Sequence, residues 1–289
     1  MRADQKARAR QYGPFVFQIA VTASLLFVLY ARILERLAEQ WVDDPNYSYG
    51  FFVLLFCGWV VWAKRRKLGA TARKPALGGL VIIAGALGML ILGVYGAEPY
   101  LSRTSLLFLV AGLIVYFFGW RRFRVVVFPW SVLLLTIPLP AIMFNQLSLP
   151  LQFEASRLSS GLAELAGIPV LREGNIIVLP ALTLDVADAC SGLRSLMSLV
   201  TLAVFYGYIL ESKLLRRLLL VFAAIPIAVV ANAVRITGSG VVGEYWGPAK
   251  AEGFFHLFSG GVVFLCSLVL LFGFHAAVRG LSTVVRRAR

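Results

Sequence analysis

The sequence predicts an all-α polytopic membrane protein of about eight transmembrane helices, with a small amphipathic helix and a β-hairpin inserted on its outer surface. Three observations predict it. Of 289 residues, 60% are hydrophobic and only 15% are charged. Apolar stretches long enough to cross about 30 Å of hydrocarbon, roughly 20 residues each, recur along the chain. The basic residues collect in alternate connections between those stretches, as cytoplasmic loops do.

The apolar stretches fall near 14–34, 50–63, 76–96, 104–119, 125–143, 192–210, 218–236 and 257–278. The first runs into an amphipathic Arg32-Ile33-Leu34-Glu35-Arg36-Leu37 stretch with no small-residue cleavage site, so it is expected to remain as an anchor rather than leave as a signal peptide. The second is short and is expected to begin within Tyr47-Ser48-Tyr49-Gly50. Residues 1–289 form a single integral membrane domain, and 145–189 form an insertion within it that does not span. From Asn145 to Ala166, Leu147, Leu149, Leu151, Leu158, Leu162 and Leu165 alternate with polar residues, the pattern of an interfacial amphipathic helix. From Ile168 to Val186, short β-prone runs flank turn residues and predict a hairpin that delivers the chain to Cys190.

With the N-terminus inside, twenty of the 28 basic residues lie in inner segments. Those segments carry about +18 against −4 outside, which orients both termini inward. The net charge of +14 is therefore spread over separate loops, where it orients helices and meets anionic headgroups, and no nucleic-acid partner is expected.

Three residues mark the outer helix ends. Cys190 follows the polar stretch Asp185-Val186-Ala187-Asp188-Ala189 and precedes Ser191-Gly192 at the mouth of a helix. A helix N-terminus favours the thiolate, whereas Asp188 opposes it unless a cation intervenes. Arg235 stands near the outer end of its span, where a charge is a functional candidate by default and snorkelling is the competing reading. Asn232, one turn earlier, shares its face. His256 opens His256-Leu257-Phe258-Ser259-Gly260. A thiol, an imidazole and a fixed cation are the parts of thiolate acyl chemistry. Arg194, one turn after Cys190, is a candidate for substrate binding or for pairing with Asp185 or Asp188, and Ser191 for capping. Cys57 and Cys266 sit in apolar runs and read as small hydrophobes. His275, near an inner end, is expected to satisfy a local hydrogen bond or meet headgroups.

These residues carry a resemblance to the exosortases and, more distantly, the archaeosortases: Ala189-Cys190-Ser191-Gly192-Leu193-Arg194-Ser195, Pro226 through Ala231-Asn232-Ala233-Val234-Arg235-Ile236, and His256-Leu257-Phe258-Ser259-Gly260. Asp44 to Phe51 is similar to the family's early outer segment, with Tyr49 where the family has a histidine. The resemblance implies a membrane-embedded cysteine protease or transpeptidase in the inner membrane of Gram-negative bacteria, its site facing the periplasm. It implies protein substrates with a C-terminal Pro-Glu-Pro-type motif, a hydrophobic helix and a basic tail. It also implies Cys190 as nucleophile, His256 as general acid and base, and Arg235 as oxyanion stabiliser or holder of a substrate carboxylate, with Arg194 and Asn232 near the substrate.

Two other classes remain open: a transporter or flippase, whose polar residues would sit near the bilayer midplane in repeated halves, and a membrane acyltransferase using the same thiol on lipid or glycan. No cofactor is implied. With two histidines at opposite ends of one span, no zinc site is expected.

Overall fold

The computed structural model describes residues 2–186, 192–249 and 254–287, with backbone alone at 2–13, 15, 192–193, 254–259 and 281–287. The chain is mostly helical and divides into two compact units, 1–138 and 139–289. Among the described residues five helices are, each by itself, long and apolar enough to cross a membrane: Val16–Asp43, Gly78–Tyr95, Pro99–Phe118, Leu214–Trp246 and Gly260–Gly280. Each coincides with an expected span. Gly50–Ala63 and Arg194–Leu210 are apolar but shorter, so the count of eight is not reached by length among the described residues.

The first unit contains α1 (Arg2–Asp43), α2 (Gly50–Ala63), α3 (Arg65–Ala70), α4 (Gly78–Tyr95), α5 (Pro99–Phe118) and α6 (Trp120–Leu133), followed by a short 3-10 turn at Leu134–Thr136. The structure differs from the expected 125–143 span, because α6 ends at Leu133. Pro138 and Pro140 follow, and a proline drives the residue before it out of the helical region. Ile137 is accordingly extended, at φ −88° and ψ 118°.

Close backbone approach joins α4 to α5, as expected where lipid removes the hydrophobic drive between helices. A Cβ on Gly112 would stand 2.8 Å from Ile83 Cγ1, and one on Gly93 would stand 2.5 Å from the Ser102 nitrogen. Tyr30, Ala86, Leu90 and Leu109 fill the core beside them, and the Tyr30 hydroxyl meets Ser105 Oγ at 2.9 Å. At the other end of this hairpin, Gly119 takes φ +86°, and a Cβ there would collide with the Lys74 carbonyl. The loop before α4 is strapped down at that point by Arg73 Nε donating to the Phe117 carbonyl (2.8 Å) and Arg122 Nε donating to Thr71 (3.0 Å). The Asp44–Phe51 segment is pinned to the 3-10 turn: the Trp41 indole donates to Thr136 O and the Tyr49 hydroxyl to Leu135 O, both at 2.9 Å.

The second unit contains α7 (Ala141–Leu165), strands β1 (Leu171–Glu173), β2 (Ile176–Val178) and β3 (Thr183–Asp185), then α8 (Gly192–Leu210), α9 (Leu214–Trp246) and α10 (Phe254–Arg287). The strands form an antiparallel meander, one strand more than the hairpin expected, with Glu173 opposite Ile176 and Ile177 opposite Leu184. Its underside packs Ile177, Leu179 and Val186 on Ala155 of α7 and Ile236 of α9. The meander therefore holds the chain until the last residue before the Cys190 segment.

A helix forms over the stretch expected at 145–166, and it has two distinct faces. Ser148, Ala155, Ser156, Ser159, Ser160 and Ala163 are buried, while Leu147, Leu149, Leu158 and Leu165 are exposed. Small residues allow α7 to approach α9 closely, and hydroxyls bond across the contact. Ser159 Oγ donates to Ala155 O at 2.6 Å and to Ala233 O at 3.2 Å, and Thr237 Oγ1 returns a bond to Ser159 O at 3.3 Å. Leu196, Leu199, Ala203, Leu220, Ala224, Ala228 and Leu271 fill the space among α8, α9 and α10.

Candidate functional site

Arg235 and Asn232 lie on α9, three residues apart and so on one face of the helix. Asn232 is buried at 6% exposure, and its Oδ1 has no hydrogen-bond partner among the described residues. A buried amide oxygen left unmet costs on the order of 1–3 kcal/mol, so a donor is called for at this position. The two residues line a pocket among α8, α9 and α10, which Ser195, Gly260 and Ser267 also line. Its free interior is about 10 Å³, on the scale of one water molecule.

Gly260 faces the guanidinium. A Cβ at that position would stand 3.5 Å from both Cζ and Nη2 of Arg235, an ordinary van der Waals separation, so the cation lies over that turn of the helix with room for no more than a methyl between them. His256 stands four residues before Gly260 in α10, one turn earlier along the same helix. The structure thus brings the α9 arginine to the turn of α10 that follows the histidine. The His256 side chain is not among those described, and Cys190, Ser191 and Asp188 lie outside the described residues. The first described residue after the cysteine is Gly192, which opens α8.

Arg194 is exposed and does not line the pocket; Ser195, its neighbour, does. Ser195, Ser267 and the seat provided by Gly260 escaped sequence reasoning, since nothing in a serine's neighbours shows which way it faces. Among the described residues no group of three histidine, cysteine, aspartate or glutamate side chains stands together as a metal site. Cys57 is buried with its thiol on the Pro129 carbonyl at 3.3 Å, whereas Cys266 is exposed. His275 takes the hydrogen-bonding role expected of it, between Tyr206 and Glu211. Glu211 itself, and Arg103, buried in α5 and donating to Gln40 Oε1 at 2.7 Å, were not foreseen.

A family model described as transmembrane exosortase matches residues 41–273. The chain belongs to the transmembrane exosortase family. The match takes in the Tyr49 segment, the whole Cys190 block, Arg235 and His256. No curated protein and no solved structure matches the chain. For an exosortase, the α8–α10 pocket is notable chemically because it pairs a fixed cation with an amide oxygen and two hydroxyls in a space too small for bulk solvent. Electrostatic interactions strengthen in such a space.

Proposed function

We propose that this exosortase-family protein is a membrane-embedded cysteine protease or transpeptidase acting on secreted proteins that carry a C-terminal Pro-Glu-Pro-type motif, a hydrophobic helix and a basic tail. The observation that carries the reading is the seating of Arg235 against Gly260, which places a cation at the turn of α10 that follows His256, in a pocket shared with the helix that Cys190 precedes.

In this mechanism the Cys190 thiolate attacks the peptide carbonyl near the sorting motif. The carbonyl π electrons move to oxygen, and Arg235 stabilises the resulting oxyanion, a contribution of several kcal/mol where such donors have been removed. Collapse of the tetrahedral intermediate expels the amine of the departing tail, protonated by His256, and leaves a thioester on Cys190. His256 then takes a proton from water or an acceptor nucleophile, which attacks the thioester; the C–S bond breaks, the acyl group leaves on the nucleophile, and the Cys190 thiolate is regenerated beside a protonated His256. Asn232, with Oδ1 open, accepts a hydrogen bond from the substrate amide or the incoming nucleophile. Arg194, at the α8 surface, contacts the substrate outside the pocket. The charge distribution supports an inner-membrane setting with both termini cytoplasmic and the site facing the periplasm.

Co-expression with a tailed substrate tests the reading. Wild-type protein should remove the tail and Cys190→Ala should not, at equal membrane abundance, whereas Cys57→Ala and Cys266→Ala should cleave normally. Tail removal by Cys190→Ala at the wild-type rate would rule out thiol catalysis. An amine-captured product separates transfer from hydrolysis.

A further inference from the structure

The three helices that frame the pocket are tied together again at their other ends. Glu211, in the connection after α8, is 4% exposed. Its Oε1 accepts from His275 Nε2 of α10 at 2.8 Å and lies 3.6 Å from Arg279 Nε, one turn further along that helix. Its Oε2 is 3.3 Å from Arg216 Nη1 in the first turn of α9, and its backbone carbonyl accepts from Arg217 Nε at 2.7 Å. The imidazole is held on its other nitrogen by the Tyr206 hydroxyl of α8, Nδ1 to Oη 2.8 Å. An ionised carboxylate only accepts, so Nε2 carries the proton it shares with Glu211, and in the neutral ring Nδ1 accepts from Tyr206. One carboxyl group thus joins α8, α9 and α10.

The distances along the helices give this tie its meaning. Nineteen residues separate Arg216 from Arg235 on α9, nineteen separate His275 from His256 on α10, and nineteen separate Glu211 from Gly192 at the start of α8. At 1.5 Å per residue each is about 28 Å of helix. Struts of equal length fastened at one end bring their other ends level. Apolar packing between them, Leu199 against Leu220 and Leu271, does not by itself choose a register, because lipid competes for the same surfaces. A buried ionic contact does choose one, since a slip of one turn leaves a charge without its partners.

We propose, on the protease reading above, that Glu211 is a positioning residue for the pocket: from the opposite end of the bundle it sets the axial register of the helices that carry Arg235 and His256 and of the helix that Cys190 precedes. Glu211→Gln keeps the side chain's shape and removes its charge. Purified in detergent with a tailed substrate, the variant should lose about 10²-fold in kcat, the cost of a misplacement near 1 Å, with KM little changed because substrate contacts are untouched. The same substitution is then placed in a background with Cys57, Cys190 and Cys266 replaced by alanine, with spin labels on Val234→Cys of α9 and Val262→Cys of α10. There the inter-label distance should shift or broaden relative to the parent. Tyr206→Phe, which removes one hydroxyl, should change both readouts in the same direction to a smaller extent, and serves if Glu211→Gln does not accumulate. Unchanged kcat, or an unchanged label distance, overturns the proposal. A shifted distance beside wild-type protein that cleaves no tail leaves the tie standing and removes the protease reading.

Discussion

Substitution of Gly260 offers a graded probe of the arginine seat. A Cβ at this position would meet Arg235 at 3.5 Å from Cζ and Nη2 and 3.8 Å from Nε. Those are ordinary van der Waals separations, so Gly260→Ala needs no movement. It should also stabilise the helix by about 0.5–1 kcal/mol, the usual difference between alanine and glycine in a helix interior. Gly260→Val adds carbons about 1.5 Å beyond that Cβ. One directed at the guanidinium would approach to roughly 2 Å, well inside the 3.5–4.0 Å contact distance, so Arg235 must move by about 1.5 Å or more. If the cation serves the oxyanion, that displacement should cost about 10²–10³-fold in kcat, as removal of an oxyanion-hole donor does. Single-turnover tail removal from a fluorescent substrate, with thermal unfolding measured in parallel, reads both effects. Full activity in Gly260→Val, with the protein folded, would refute the assignment of Arg235 to the reacting centre.

Three other outcomes follow from the geometry. Gly119→Ala forces a side chain into the left-handed region at φ +86° and against the Lys74 carbonyl; it should destabilise the first unit by more than the ordinary 0.4–1 kcal/mol glycine effect, seen as a lower melting temperature. Ser159→Ala forfeits the bond to Ala233 O and should cost about 0.6 kcal/mol, whereas Ser159→Leu cannot fit the α7–α9 contact and should abolish the monodisperse peak on size-exclusion chromatography. The Glu211 carboxyl is held below its ordinary value of 4.5, first by the His275 hydrogen bond and then by Arg216. Its contribution is therefore present above pH 4.5 and lost as the pH falls through the depressed value. Wild-type melting temperature should drop over that range, and Glu211→Gln should show a flatter profile.

Much of this architecture is legible in the residues, because hydropathy over twenty positions reports the solvent a helix will meet. The spans at Val16–Asp43, Gly78–Tyr95, Pro99–Phe118, Leu214–Trp246 and Gly260–Gly280 follow from it. At 125–143 it does not register the break between Thr136 and Ala141, where Pro138 and Pro140 are apolar enough to pass but interrupt the helix. At α7 the amphipathic pattern is readable, but it does not show that the serines face α9 rather than solvent, because a hydroxyl's partner lies elsewhere in the chain. That Arg235 and Asn232 share a face was readable from their spacing, but the position of Gly260 opposite the guanidinium was not, since an absent side chain carries no pattern. Glu211 looked like one more charge in an inner loop. Its burial depends on His275, sixty-four residues later, and only the folded bundle brings the two together.

The two faces of α7 bear on how the helix responds to its solvent. A segment that displays leucine and conceals hydroxyls has no reason to fold in water, and its concealed groups become an asset only once Ala233 and its neighbours are alongside. The leucines can thus lie against acyl chains while the hydroxyls are shared with α9. A detergent that strips the leucine surface should leave the two helices paired through Ser159, while one that wedges between them should release a helix still soluble in the micelle.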